Sequence, residues 1–337
     1  RKRSSAASDV YKRQRRAGAL CGSQGEEFIM TNIDDQAPHK PVVGLALGSG
    51  SARGWAHIGV IQGLEEIGVQ PQVVAGTSIG ALVGGAYVTN TLNEFADWVQ
   101  SLTVKDVFGL LDISLSGGMV KGEKLFNFFR EHHDNPDIET LEKKLVTVAT
   151  DMKSGREIWI TKGTMLDAAR ASCALPGLFS PVKMQGRWML DGGLVNPVPV
   201  SAARAMGADV VIAVNLNAQL VGAHLSRDTR TQAEGEDGSD EERSIWHKMM
   251  GYFISEDDED PGFFDVVASS INIMQDRITR SRMAGDPPEV TLVPLLEDFA
   301  LMDFHRAKEA IEEGRSLVKR YEADILAWVG SPVADRV

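Results

Sequence analysis

Residues Val73-Val74-Ala75-Gly76-Thr77-Ser78-Ile79-Gly80-Ala81 constrain this chain more than any other stretch. A short apolar run enters a Gly-x-Ser-x-Gly turn, and small residues follow it. That order reads as buried strand, sharp turn and helix, the setting in which such a serine is presented as a nucleophile. So tight a turn drives the serine backbone into strain, and side chains at Gly76 and Gly80 would collide with the neighbouring strand and helix. Ser78 then stands at a helix N-terminus, where amides and the helix dipole favour developing negative charge. Because the chain holds 33 glycines in 337 residues, the motif alone also fits a turn without chemistry.

The surrounding pattern places the turn in an α/β chain. Pro41 opens the apolar run Val42 to Leu47, a buried parallel strand by its uninterrupted hydrophobicity. A Gly/Ser-rich loop, Gly48 to Gly54, leads into a helix marked by Ile58, Ile61, Leu64 and Ile67 and stopped at Gly68. The pattern then predicts strand 72–75, helix 79–88, a helix carrying Phe95, Trp98 and Val99, helix 122–133, and strands 145–150 and 156–161. Helix 165–173, strand 187–190, a helix from Pro199 to Gly207 and strand 209–216 follow. Thr91 with Glu94, and Thr164 with Asp167, have capping-box spacing. Helix 263–283, strand 290–293 and a helix from Asp303 to Trp328 complete the series. Such alternation indicates a mostly parallel sheet covered on both faces.

At 43% hydrophobic residues the chain can bury the core of one large domain or two smaller ones. Its 35 basic and 47 acidic residues leave a net charge of −12, which argues against nonspecific nucleic-acid binding. Tight docking on anionic lipid is equally disfavoured, except through a local basic patch. Two cysteines, Cys21 and Cys173, supply neither a disulfide framework nor a Cys-rich zinc site, and a reducing, cytoplasmic setting is expected. No apolar run approaches the roughly 20 residues that span a bilayer. Peripheral contact at the inner membrane stays open.

Arg1 to Arg16 is basic and polar, without the apolar centre of a secretory signal. Asp9-Val10-Tyr11-Lys12-Arg13-Gln14 back-translates as GATGTGTATAAGAGACAG, which looks like the end of a transposase sequencing adapter. Residues 1–14 therefore read as an adapter-derived tail, and 15–40 as a disordered N-terminal segment. A catalytic domain is expected over 41–221, an acidic flexible insertion over 222–261, and a C-terminal helical part of the same domain over 262–330. Within the insertion, acidic blocks at 234–242 and 256–260 flank the apolar island Ile245 to Ile254. The composition suits a solvated segment. The island, with Trp246, Met249, Met250, Tyr252 and Phe253, also suits a lid or a membrane-touching helix.

A nucleophilic serine needs a base and an oxyanion hole. The loop Gly48-Ser49-Gly50-Ser51-Ala52-Arg53-Gly54 is a poor dinucleotide fingerprint, with Arg53 where the third glycine belongs. As an oxyanion loop it works better, since the amides of Gly50 and Ser51 can turn toward one point near Ser78. A phosphate cradle or a structural turn remains the alternative. Of the histidines, His57 reads as packed within a helix, and His224, His247 and His305 have no loop setting that marks them as catalytic. The better base is Asp191, at a strand end before Gly192 and Gly193, which would let the serine approach closely. Partial desolvation would raise its pKa toward that of a working base. A simple Asp-Gly turn is the alternative.

Together, the Gly-rich loop with Arg53, Gly76-Thr77-Ser78-Ile79-Gly80 and Asp191-Gly192-Gly193 resemble the patatin-like phospholipase family. Ala149-Thr150-Asp151, the block Ala169 to Phe179 and the block Asp191 to Val200 extend the likeness. It covers about Pro41 to Leu216, more weakly Asp303-Phe304-His305-Arg306-Ala307, and lies nearest the bacterial branch related to neuropathy target esterase.

The resemblance implies a three-layer α/β/α sandwich and a Ser–Asp dyad, with Ser78 attacking an ester carbonyl while Asp191 takes its proton. Amides around Gly50, Ser51 and Ala52 would hold the oxyanion, and Arg53 would order that loop. Lipid or lysophospholipid esters would be the substrates, with no metal and no cofactor. Ser49 and Ser51 interrupt what is often a run of glycines in the family, and their side chains would narrow the pocket. A patatin-fold regulatory or binding module with vestigial esterase activity is the rival from another class.

Overall fold

A computed structural model describes residues 40–111, 126, 130, 135–176, 179–219 and 263–330. The adapter-like tail, the N-terminal segment and the acidic insertion with its Trp246 island lie outside the described residues. So does most of the helix expected at 122–133, of which Phe126 and Arg130 are helical.

The described strands are β1 (Val43–Leu47), β2 (Val73–Thr77), β3 (Lys144–Asp151), β4 (Glu157–Ile160), β5 (Val182–Met184), β6 (Arg187–Asp191), β7 (Val210–Val214) and β8 (Val290–Leu292). They form one sheet whose hydrogen-bonded neighbours run β5-β6-β3-β2-β1-β7-β8, with β4 also paired to β3. The stretch from β3 to β8 is parallel throughout. β4 and β6 run antiparallel to β3, and β5 runs antiparallel to β6. The helices are α1 (Ala56–Glu66), α2 (Ile79–Val88), α3 (Leu92–Ser101), α4 (Val104–Leu111), α5 (Met165–Ser172), α6 (Val200–Ala205), α7 (Phe263–Gly285) and α8 (Ala307–Gly330).

The central strands are buried on both faces, as uninterrupted apolar runs require. One face carries Leu45, Leu47, Val74, Leu145 and Ile212 against α1, α2, α3, α5 and α8. The other carries Ala46, Ala75, Val146 and Ala213 against α6, with Met283 of α7 packed alongside. Every residue of α2 is buried. Its small residues allow this: Gly84 faces the Val74 side chain and Gly85 faces Met165.

Three local expectations need correction. Thr91 forms no capping box; its hydroxyl turns back to the Ala86 carbonyl and the Thr89 hydroxyl at the end of α2. Thr164 caps nothing either, because its backbone bridges Asp137 and its hydroxyl is buried with no partner among the described residues. Strand β5 was not anticipated. Exposed Lys183 between half-covered Val182 and Met184 is too short a run to read as a period, and the β5–β6 hairpin depends on its two-residue turn, Gln185 (φ 48°) and Gly186 (φ 79°).

Candidate active site

β2 continues through Thr77, so Gly76 lies in the strand and the chain reverses at Ser78 alone. Ser78 has φ 57° and ψ −126°, a conformation that a side-chain-bearing residue holds only when its surroundings impose it. Those surroundings are specific. The Ser78 amide donates to Ser172 Oγ at 2.9 Å, and the Ser172 hydroxyl donates to the Val148 carbonyl at 2.5 Å. The Thr77 hydroxyl donates to the Asn196 carbonyl at 2.8 Å. A Cβ at Gly80 would run into the Leu47 carbonyl, and one at Gly76 would strike the first turn of α2.

Asp191 reaches Ser78 through the register of β3. Thr147 and Val148 pair with Gly76 and Thr77 of β2, and also with Ile160 and Trp159 of β4. Ala149 and Thr150 pair with Ile158 and Glu157 of β4, and also with Asp191 and Leu190 of β6. A residue has one neighbour on each side, so β2 and β6 share one edge of β3 and meet end to end. Thr77 and Asp191 thus occupy consecutive positions on that edge, and Ser78, one residue on, faces the carboxylate. The Ser78 hydroxyl donates to Asp191 Oδ2 at 2.6 Å.

The carboxylate is fully buried. The Gly193 amide donates to its Oδ1 at 2.7 Å, and the Thr150 hydroxyl donates to its backbone carbonyl at 2.8 Å. Burial drives its pKa up to about 7, against the opposing pull of the bonds from Ser78 and Gly193. The following glycines leave room for β3 and for Thr77, the residue before Ser78, and supply an amide to the acid. A Cβ at Gly192 would strike the Val148 carbonyl, and Gly193 turns its amide onto the acid.

The Gly-rich loop closes the other side. Its first amides are tied down, Gly48 to the Val214 carbonyl at 3.1 Å and Ser49 to the Pro197 carbonyl at 2.8 Å. The Gly48 carbonyl accepts from His57 Nε2 at 2.8 Å, which fixes the tautomer. Burial lowers the His57 pKa to about 4, so this neutral imidazole anchors the loop. Residues Ser51–Trp55 form a 3-10 turn with Ser51 at φ 52°.

Among the expected oxyanion donors, Ala52 needs correction. Its amide donates to the Leu301 carbonyl at 3.2 Å, because the 298–306 segment lies across the loop and also receives the Ser51 hydroxyl at 2.6 Å. No described hydrogen bond occupies the amides of Gly50 and Ser51. Gly54 packs directly on Ile79, beside Ser78 in the chain.

Arg53 is 1% exposed. Its Nη2 donates to Asn217 Oδ1 at 3.2 Å, while Nε and Nη1 have no partner among the described residues. Burial lowers its pKa to about 10, with Asp303 pulling the other way. Asn217 Nδ2 in turn donates to Gln275 Oε1 at 2.7 Å, and the Ser49 hydroxyl donates to the same oxygen at 3.3 Å. A Cβ on Gly193 would meet the Gln275 amide nitrogen, which places this α7 side chain against the Asp191 turn.

Ser51 and Ser78 line one recess. Its other walls are apolar, with the rings of Trp55, Trp98, Phe126, Phe179 and Phe304 beside Ile79, Leu82, Cys173 and Leu175. Burial pushes the Cys173 thiol pKa up, with Asp191 adding to the effect, so it presents a neutral wall beside the serine. Sequence reasoning missed Ser172, Asn217 and Gln275, and read the block holding Ser172 and Cys173 only as a likeness. Ser172 precedes Cys173 in that block, but nothing local shows that its hydroxyl reaches the serine turn. His305 lies on a 3-10 turn and is half-covered; His224 and His247 lie outside the described residues.

The patatin-like phospholipase profile matches residues 45–204. An uncharacterized NTE family protein of Mycobacterium tuberculosis is 33% identical over 324 residues, covering 82% of this chain and 90% of that protein. Human patatin-like phospholipase domain-containing protein 6 is 32% identical over 185 residues, 52% of this chain and 13% of that protein. The lysophospholipase nte1 of Emericella nidulans is 32% identical over 184 residues, 52% of this chain and 12% of that protein.

Proposed function

The chain belongs to the patatin-like phospholipase family, and we propose on that premise that it is a serine acyl hydrolase cleaving lipid carboxylic esters, lysophospholipids among them, through Ser78 and Asp191. The observation that carries this reading is the 2.6 Å bond from the Ser78 hydroxyl to a fully buried carboxylate whose pKa lies near 7. A carboxylate so poised accepts a proton at neutral pH, while one at its ordinary pKa is too weak a base for a serine.

In the proposed reaction Asp191 takes the Ser78 proton as Oγ attacks the ester carbonyl. The resulting oxyanion is held by the amides of Gly50 and Ser51. Collapse breaks the ester C–O bond, and protonated Asp191 gives its proton to the leaving alkoxide. Water then attacks the acyl-enzyme with Asp191 again taking the proton, the acyl–Oγ bond breaks, and Asp191 returns that proton to Ser78 Oγ as the carboxylic acid leaves. The aromatic walls of the recess suit an acyl chain. The relative described as a lysophospholipase supports the choice of substrate class.

The test is hydrolysis of a short-chain p-nitrophenyl ester by wild type, Ser78→Ala and Asp191→Asn. Each variant is expected to lose about a thousandfold or more in kcat. Equal rates from all three would remove the dyad. Labelling of wild type but not Ser78→Ala by a fluorophosphonate identifies the nucleophile.

A further inference from the structure

The β5–β6 hairpin carries a surface that the catalytic reading does not use. Lys183 of β5 stands opposite Trp188 of β6. The Met152 amide, one residue past β3, donates to the Trp188 carbonyl at 2.8 Å. Directly opposed residues share a sheet face, so Lys183, Trp188 and Met152 form one cross-strand row. Met152 is 56% exposed and Trp188 52%, high values for large apolar side chains. The Lys183 amine lies 5.9 Å from the Trp188 ring centre.

Charge around the row runs against that of the whole chain. Lys153, Arg156, Lys183 and Arg187 are all exposed there, while the acids nearest them in sequence are covered and paired, Asp151 with Arg187 at 3.7 Å and half-buried Glu157 with Arg282 at 2.6 Å. A chain of net charge −12 thus gathers four exposed cations on this hairpin and the neighbouring 151–156 turn, Lys183 against the Trp188 ring and Arg187 paired with Asp151. Trp188 lies three residues before Asp191 on β6, about 10 Å along the strand. At its other end the hairpin enters β5 shortly after Phe179, a wall of the recess.

We propose that the row Met152–Trp188–Lys183, with the exposed cations Lys153, Arg156 and Arg187 of the same hairpin and adjoining turn, is a docking surface for an anionic phospholipid membrane. An indole and a thioether insert among lipid headgroups and upper acyl chains, while lysine and arginine heads meet lipid phosphates and carboxylates. Charge complementarity selects this occupant: cations meet an anionic headgroup layer, whereas in a two-fold dimer the same patch would face its own cations. The inference rests on the lipid-ester reading for the reason a membrane is met, but the binding can be measured without turnover.

The experiment is co-sedimentation of the full chain with vesicles of equimolar phosphatidylcholine and phosphatidylserine, and with pure phosphatidylcholine vesicles. Wild type is expected to bind the anionic vesicles at least about tenfold better than the neutral ones, and to lose most of that binding in high salt. Trp188→Ser with Met152→Ser is expected to weaken binding to anionic vesicles about tenfold or more. Lys183→Glu with Arg187→Glu should do the same without removing apolar surface, and guards against a folding defect in the first pair. All four positions lie outside the recess, so turnover of a soluble p-nitrophenyl ester should stay at the wild-type rate in folded variants. A wild type inactive on that ester but bound to vesicles through this row would sink the hydrolase reading alone. Absent binding by wild type, or equal binding by all variants, would overturn the docking surface. So would a wild-type dimer that the same substitutions convert to monomer, since the face would then be an interface between copies.

Discussion

Ser172 holds Ser78 from behind: its hydroxyl accepts the Ser78 amide at 2.9 Å and donates to the Val148 carbonyl at 2.5 Å. Val148 pairs with Thr77 across the sheet. One side chain from α5 therefore ties the strained residue to the strand beside it, with both polar functions satisfied away from water. The strain at φ 57° persists because the surroundings leave the backbone no cheaper conformation.

Ser172→Ala tests that tie. It leaves the Ser78 amide and the Val148 carbonyl buried without their partner, at a cost of about 1–3 kcal/mol in unfolding free energy. As the nucleophile loses its orientation, kcat on a p-nitrophenyl ester should fall about ten- to a hundredfold with little change in KM. Urea unfolding and steady-state kinetics read the two effects. Wild-type kcat in this variant would show that the elbow holds itself.

Asp191 gives activity and stability opposite dependences on pH. As the proposed base it must be ionised, so kcat/KM on a soluble ester should rise with pH through about 7. For stability the sign reverses. Burial raises the folded-state pKa above the unfolded value, so the folded state binds the proton more tightly. That contribution is full below about pH 4 and is lost as pH rises through about 7. Asp191→Asn should consequently unfold at a higher temperature than wild type at pH 8, and the gap should narrow by pH 5. A pH-independent difference in melting temperature would contradict the buried, ionising carboxylate.

Gln275 of α7 offers a way to move that pKa without touching the dyad. Its Oε1 accepts from Asn217, which holds Arg53, and its nitrogen sits against Gly193 beside the Asp191 carboxylate. Gln275→Glu keeps the acceptor and adds an anion near Asp191, so the acid limb of the pH–rate profile should move upward by about half a unit to one unit. A role limited to packing would lower the rate at every pH and leave the midpoint where it was.

Gly59 of α1 and Gly314 of α8 face each other reciprocally. A Cβ on the first would run into the Ile311 carbonyl, and a Cβ on the second into the Ala56 carbonyl. Gly314→Ala should destabilise the fold by about 1–3 kcal/mol through overpacking, against a smaller gain in helix propensity. Thermal unfolding measures it, with esterase kcat expected near wild type in the folded fraction. An unchanged or raised melting temperature would mean that the two helices separate easily.

Much of the frame was legible along the chain because its signals are local. Val43–Leu47 and residues 73–76 are apolar throughout, as strands covered on both faces must be, and the small residues of Ile79–Val88 announce a helix pressed closely on its neighbours. The serine elbow was legible for the same reason: glycines at 76 and 80 report steric limits set within a few residues. Thr91 misled because its hydroxyl bonds the Ala86 carbonyl at the end of the preceding helix, and Thr164 because its backbone is taken up in a bridge to Asp137.

By itself, then, the sequence determined the alternation of strands and helices, the burial of the sheet and the exposure of a serine at a turn, all consequences of periodicity and backbone sterics. Only the tertiary structure decided that Ser78 and Asp191, 113 residues apart, lie 2.6 Å from each other, because that depends on β2 and β6 sharing one edge of β3. It also decided that Ala52 spends its amide on Leu301 and that Ser172, Asn217 and Gln275 brace the site. Hydrogen bonds between distant segments leave no period in a sequence. Their partners are chosen by register and packing, which exist only once the chain has folded.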